Sequence, residues 1–279
     1  MATSDVEYAN LEGKRIAYWS VGHGAPVVLI HGSFATSAAW KRMAAKLNAD
    51  TSRAIAIDLP GWGNSEPAPL DHPALVEYEA RAVEAVARQS GGGSVHLAGH
   101  SHGGTIALAV ALAGRVKVLS LTLFEPLPVA ILAYTGDRAV FDEVSDFVSA
   151  YRRAFKAGDR WAARSVIDMW GGSGAFEAMA PTMREFIGLG TEGNLRHWNG
   201  NFAFQPTPEE LRALPIPTTV VHGSSSHRIA KLIAHRLTES MPRSRRVELG
   251  DASHFMIHTH AGESAGFVEQ AIGHSLTRS

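Results

Sequence analysis

The chain has 279 residues, with 26 Lys and Arg against 27 Asp and Glu, 45% hydrophobic residues and no cysteine. Such a length and composition supply a large buried core and exclude a disordered chain, and the near-zero charge gives no electrostatic case for nucleic acid or an anionic membrane. The missing cysteines exclude disulfides, thiolate metal sites and cysteine nucleophiles, so any chemistry must come from Ser, His, Asp, Glu, Lys or a bound group.

Met1–Glu7 has neither a basic start nor an apolar stretch, so no leader is expected, and the expected location is cytoplasmic. Short β-rich runs then recur at Arg15–Trp19, Val27–Ile30, Ala54–Ile57, Val95–Ala98, Val118–Phe124, Thr218–Val221 and Val247–Leu249. Most are continuously apolar, the pattern of strands buried on both faces in a mostly parallel sheet. Helical periodicity falls between them, at Leu75, Tyr78, Ala82, Val83 and Val86, at Ile229, Leu232, Ile233 and Leu237, and at Ala265, Val268 and Ile272. Strands alternating with helices predict an α/β fold, its mostly parallel central sheet flanked by helices. Gly91–Gly93 reads as a turn before the strand at Val95. The apolar run Ile106–Ala113 is far too short to span a bilayer.

The alternation breaks after Pro126. Residues 127–206 show no convincing strand and hold more than half of the aromatic residues, and the strand pattern resumes at Thr218. An inserted α-helical cap is expected there, dividing the chain into core (1–126), cap (127–206) and core (207–279). The prolines of Gln205–Pro208 and Leu214–Pro217 read as a rigid return linker.

Gly99-His-Ser101-His-Gly103 matches G-x-S-x-G. The pattern is weak alone. Here an apolar strand precedes it and an apolar helix follows, the context of a nucleophile elbow with Ser101 exposed above the sheet edge. The backbone amide of His102, directly after the nucleophile, then becomes an oxyanion donor. The side chains of His31, His100 and His102 read as structural.

Two further stretches keep the same order. His31-Gly32-Ser33 follows the strand Val27–Ile30, and Asp58-Leu-Pro-Gly-Trp-Gly-Asn-Ser65 follows Ala54–Ile57. With the elbow, they make the chain resemble the α/β-hydrolases over nearly its full length. The resemblance implies a second oxyanion donor at the amide of Ser33, with Phe34 as its neighbour. It also places the catalytic base at His254, after the last strand, which keeps the order Ser, acid, His. His258 and His260 alone are a weak metal signal, and no metal or cofactor is expected.

The acid departs from the family pattern. The expected position after Thr218–Val221 holds Ser226, a hydroxyl without charge. Glu125 ends the strand Val118–Phe124, where some α/β-hydrolases carry the triad acid, and a carboxylate closing an apolar strand needs a polar partner. Asp251 is the runner-up, and a Ser–His dyad without an acid stays open.

A serine nucleophile suits acyl transfer, whereas the family's haloalkane dehalogenases and epoxide hydrolases use aspartate there. The expected function is hydrolysis of an ester or related acyl bond of a small, apolar molecule through an acyl-enzyme on Ser101. Carbon–carbon bond cleavage or lactone opening would use the same groups. A non-catalytic ligand-binding role is the alternative that Ser226 favours. Phe34, Phe124, Leu127, Trp170, Trp198 and Phe255 are the expected lining of the substrate site. The oligomeric state is not readable.

Overall fold

A computed structural model describes residues 5–69 and 75–276. Part of the leader reading, residues 1–4, lies outside them. The strands are β1 (Glu7–Leu11), β2 (Lys14–Gly22), β3 (Ala25–Ile30), β4 (Ser52–Ile57), β5 (Ser94–His100), β6 (Lys117–Phe124), β7 (Thr218–Gly223) and β8 (Ser244–Leu249). The helices are α1 (Lys41–Ala44), α2 (Leu75–Gly91), α3 (His102–Ala113), α4 (Ile131–Tyr134), α5 (Arg138–Lys156) and α6 (Arg164–Gly171). They continue with α7 (Pro181–Leu189), α8 (Thr191–Ala203), α9 (Pro208–Ala213), α10 (Arg228–Ser240), α11 (Met256–Thr259) and α12 (Ala261–Leu276).

The eight strands form one sheet in the order β1-β2-β4-β3-β5-β6-β7-β8. β2 runs antiparallel to β1 and β4, and every other pairing is parallel. The continuously apolar strands have the predicted cause. In β3, Val27 and Leu29 join the core cluster that contains α12, while Val28 and Ile30 join the one that contains α2 and α3. Both faces are covered, so neither parity can be polar.

β1 is absent from the sequence reading. Its residues, Glu-Tyr-Ala-Asn-Leu, bury only two side chains, and the apolar signal is correspondingly thin. It is tied to β2 by a two-residue turn with Glu12 at φ 53° and Gly13 at φ 85°, the all-positive pair that matches strand twist in a tight hairpin. The return segment also differs from a plain linker. Thr207 caps α9 reciprocally with Glu210, giving a short helix between the two proline pairs.

Between β6 and β7 the described residues hold helices α4–α9 and no strand. α8 packs back on α2 and α3, which places its inner face beside the C-terminal ends of β3 and β5. Among the described residues, no helix is long and apolar enough to cross a membrane.

The β5–α3 turn packs its backbone tightly against the end of β3. A Cβ on Gly103 would lie 2.3 Å from the Ile30 carbonyl oxygen and 2.4 Å from that of His31. Both obstacles are backbone atoms, at the last residue of β3 and the one after it, and cannot easily move aside. Gly103→Ala is expected to cost about 3 kcal/mol and lower Tm by roughly 10 °C. Thermal unfolding followed by circular dichroism checks this; an unchanged Tm would mean the close approach does not constrain the fold.

Candidate active site

Three loops at the C-terminal edge of the sheet build the site. The first is the elbow. Ser101 has φ 55° and ψ −123°, and its amide is held by the Phe124 carbonyl at 2.9 Å. A non-glycine residue in this region is costly and is retained only where the surroundings fix it. Ser101 sits at the tip, between the end of β5 and the start of α3. Gly32 lets the β3 loop close on it, since a Cβ there would meet Ser101 Cβ at 2.9 Å.

The second loop follows β6. Glu125 has φ 45° and is fully buried. Its Oε1 accepts from the Gly223 amide at 2.9 Å and from the Ser226 hydroxyl. Its Oε2 lies 2.6 Å from His254 Nδ1. Burial opposes the charge on Glu125, but His254, the Ser226 hydroxyl and the Gly223 amide outweigh it and hold the carboxyl below its ordinary value. Ser226, at the position where the resemblance expects an acid, is therefore a hydrogen-bond donor to the acid that β6 supplies.

The third loop follows β8 and carries His254. It is stitched to the β7 loop by Ser225 N to Ala252 O at 2.9 Å and Asp251 N to Ser224 Oγ at 2.8 Å. His100 Nε2 donates to the His254 carbonyl at 2.7 Å. The imidazole of His254 lies between His100, ring centroids 4.7 Å apart, and Trp170 of α6, stacked at 4.8 Å. Burial pushes His100 well below the ordinary histidine value, and the His254 ring adds to this, so His100 is a neutral support. Asp251 is exposed, and its hydrogen bond to the β7 loop is made by its backbone.

Ser101 and His254 line one cavity of about 480 Å³. Ser33, Phe34, Leu127, Trp170, Trp198 and Phe255 line it too. Phe124 does not. It is fully buried in the cluster on the α12 side of the sheet, against Trp40 at 6.1 Å. Adjacent residues of a strand face opposite sides, so the expectation for Phe124 is corrected to a core role. Asn194 and Asn201 also line the cavity and were not anticipated. They share one face of α8 with Trp198 at helical spacing, a signal the sequence did contain. Among the described residues the amides of Ser33 and His102 have no hydrogen-bond partner within the protein.

A second buried cluster lies beside the elbow. His102 Nε2 is 2.7 Å from Glu79 Oε2, and its Nδ1 is 3.0 Å from Asn201 Oδ1. His197 of α8 stacks on His102 at 3.9 Å, and its Nε2 lies 3.3 Å from Glu79 Oε1. Burial works against the Glu79 charge, but the His102 imidazole beside it, foremost among the opposing influences, holds its carboxyl down to about 2. Glu79, His102 and His197 are a possible ligand set by proximity. Their geometry does not suit a metal. The two rings are 12° from parallel, so their in-plane lone pairs cannot converge on one ion at about 2.0–2.1 Å. Glu79 and His197 were missed in the sequence. The available sign was a carboxylate on the apolar face of α2, between Val76 and Val83.

A profile described as the alpha/beta hydrolase family matches residues 27–267, and the chain belongs to that family. It is 27% identical over 272 residues to 2-hydroxymuconate semialdehyde hydrolase of Pseudomonas putida, covering 92% of this chain and 90% of that protein. A stretch of 155 residues is 32% identical to the dihydrolipoyllysine-residue acetyltransferase component of an acetoin cleaving system from Cupriavidus necator. That match covers 54% of this chain and 38% of the longer protein. An esterase from Thermogutta terrifontis superposes with a TM-score of 0.74 at 20% identity, over 98% of this chain and 99% of that one, which shows a shared fold.

Proposed function

We propose that the protein is a serine hydrolase that cleaves a carboxylic ester or related acyl bond of a small, largely apolar molecule. The observation that carries this reading is the 2.6 Å approach of His254 Nδ1 to the buried Glu125 carboxylate, with His254 and Ser101 in the wall of one cavity. His254 takes the Ser101 proton at Nε2 as Oγ bonds to the carbonyl carbon. The amides of Ser33 and His102 hold the resulting oxyanion. The C–O bond then breaks, and His254 gives its proton to the departing alkoxide. Water attacks the acyl-enzyme, its proton passes to His254 and on to Ser101, and the acid leaves. The residues need no cofactor for these steps. Residues 127–206 act as the cap, and Trp170 and Trp198 present apolar area to the acyl or alcohol group.

A second reading is carbon–carbon bond hydrolysis. The near full-length relative named 2-hydroxymuconate semialdehyde hydrolase favours it. So does the lining of the cavity, which includes Arg42 and no Asp or Glu, a charge balance that accepts an anionic substrate.

A fluorophosphonate probe tests the common core of both readings. The expected result is one adduct, on the Ser101 peptide by mass spectrometry, with loss of p-nitrophenyl butyrate hydrolysis in step with labelling. An unlabelled Ser101, or hydrolysis that survives complete labelling, would favour a non-catalytic role. Relative kcat/KM for p-nitrophenyl butyrate and for a vinylogous 1,5-diketone then separates ester from carbon–carbon cleavage.

A further inference from the structure

The cluster of Glu79, His102 and His197 takes no part in the steps above, yet it touches both residues whose amides flank the oxyanion. His102 is one of them and meets Glu79 directly. Ser33 is the other, and its Oγ lies 2.7 Å from His197 Nδ1. His197 belongs to α8, in the segment between β6 and β7, so one of the two contacts reaches across from the helices above the site.

Hydrogen-bond accounting fixes the direction of that contact. The Trp62 indole donates to His197 Nε2 at 3.1 Å. An indole N–H can only donate, so Nε2 accepts. Burial, with His102 adding to it, pushes His197 down to about 4, so its ring is neutral at working pH. A neutral imidazole has one N–H, and here it must be on Nδ1. Glu79 Oε1, 3.3 Å from Nε2, makes no hydrogen bond with it. Nδ1–H therefore donates to Ser33 Oγ. The Ser33 hydroxyl proton is left with no acceptor among the described residues, on a residue that lines the cavity.

We propose that His197 is a positioning residue that turns the Ser33 hydroxyl proton into the cavity, so that the seating of α8 adds a donor to the oxyanion side of the site. The inference rests on the serine-hydrolase reading. Trp62 selects the His197 tautomer, and the stacked His102 ring holds its plane. The hydroxyl supplements the Ser33 and His102 amides, which any residue but proline would offer. Displacement of α8 would remove the added donor while leaving Ser101, His254 and Glu125 in place.

The test compares His197→Asn with His197→Gln. An Asn amide reaches the position of Nδ1, and a Gln amide the position of Nε2. With p-nitrophenyl butyrate, Ser33→Ala is expected to lower kcat about 10²-fold, the usual loss for one oxyanion donor. His197→Gln should lower kcat by about tenfold with KM within roughly twofold, and His197→Asn should recover most of it. In the Ser33→Ala background, His197→Gln should cost nothing further, because both remove the same donor. Losses that multiply, equal kcat for the Asn and Gln variants, or an unaffected kcat in His197→Gln would overturn the proposal. If His197→Gln does not fold by thermal melt, Trp62→Phe carries the test by freeing the tautomer, and an unchanged kcat there overturns it. A wild type that resists fluorophosphonate at Ser101 fails the serine-hydrolase reading and this one together. A reactive wild type matched by Ser33→Ala and His197→Gln fails this one alone.

Discussion

Ser101→Ala is expected to lower kcat on an activated ester by on the order of 10⁶ and to abolish fluorophosphonate labelling, with Tm changed by only about 2 °C. The large effect follows from position. Ser101 stands at the tip of the strained turn, in the same cavity wall as His254, whose imidazole meets the buried Glu125 carboxylate. On the proposed serine-hydrolase mechanism, loss of the oxygen removes the covalent intermediate and leaves only the oxyanion amides and binding to help water. The small effect on stability follows from the bonds that hold the turn. Ser101 N to Phe124 O and Gly104 N to Ser101 O, both 2.9 Å, are backbone bonds that alanine keeps. Steady-state kinetics with a tightly purified variant checks the first number and calorimetry the second. Activity within tenfold of wild type would remove Ser101 from the chemistry.

The sequence made the central strands legible because burial on both sides forbids polar residues at either parity. Val27–Ile30 and Ala54–Ile57 could be read for that reason. At the edges the signal fades. β8 opens with Ser244, Arg245 and Arg246, only partly buried or exposed, and its sequence reading began later than the strand does. That Glu125 meets a polar partner was legible because a carboxylate closing an apolar strand is anomalous. Phe124 was misread because a strand shows its parity only once its register is known, and one residue decides the face. The Glu79 cluster was out of reach for another reason. Ser33 and His197 are 164 residues apart, and the helix that carries His197 has no periodicity that points toward the β3 loop. Long-range polar pairing leaves no local pattern, whereas burial does.

Glu125→Gln is expected to lower kcat by about 10²–10⁴ while the protein stays folded. Three donors converge on the carboxylate: the Gly223 amide and the Ser226 hydroxyl on Oε1, and His254 on Oε2. A carboxylate accepts on both oxygens, but a glutamine amide accepts on one and donates on the other. If its oxygen stays with Gly223 and Ser226, its NH₂ faces His254 and selects the wrong imidazole tautomer. If its oxygen turns to His254, its NH₂ faces the Gly223 N–H. Either arrangement loses the negative charge that stabilises the imidazolium. The stability difference between wild type and variant has a defined pH sign. The folded-state pKa of Glu125 is depressed, so its contribution is complete above the unfolded value of about 4.5 and is lost as pH falls through the lower folded value. Denaturation from pH 7 to pH 3 should show the gap closing only below about pH 4.5. Ser226 supplies the converse test. Its hydroxyl already touches the Glu125 carboxylate, so Ser226→Asp in a Glu125→Ala background should return at least about tenfold of the lost kcat from the β7 side of His254. Full activity in Glu125→Gln, together with a loss in Asp251→Asn, would assign the acid to the exposed β8 loop instead.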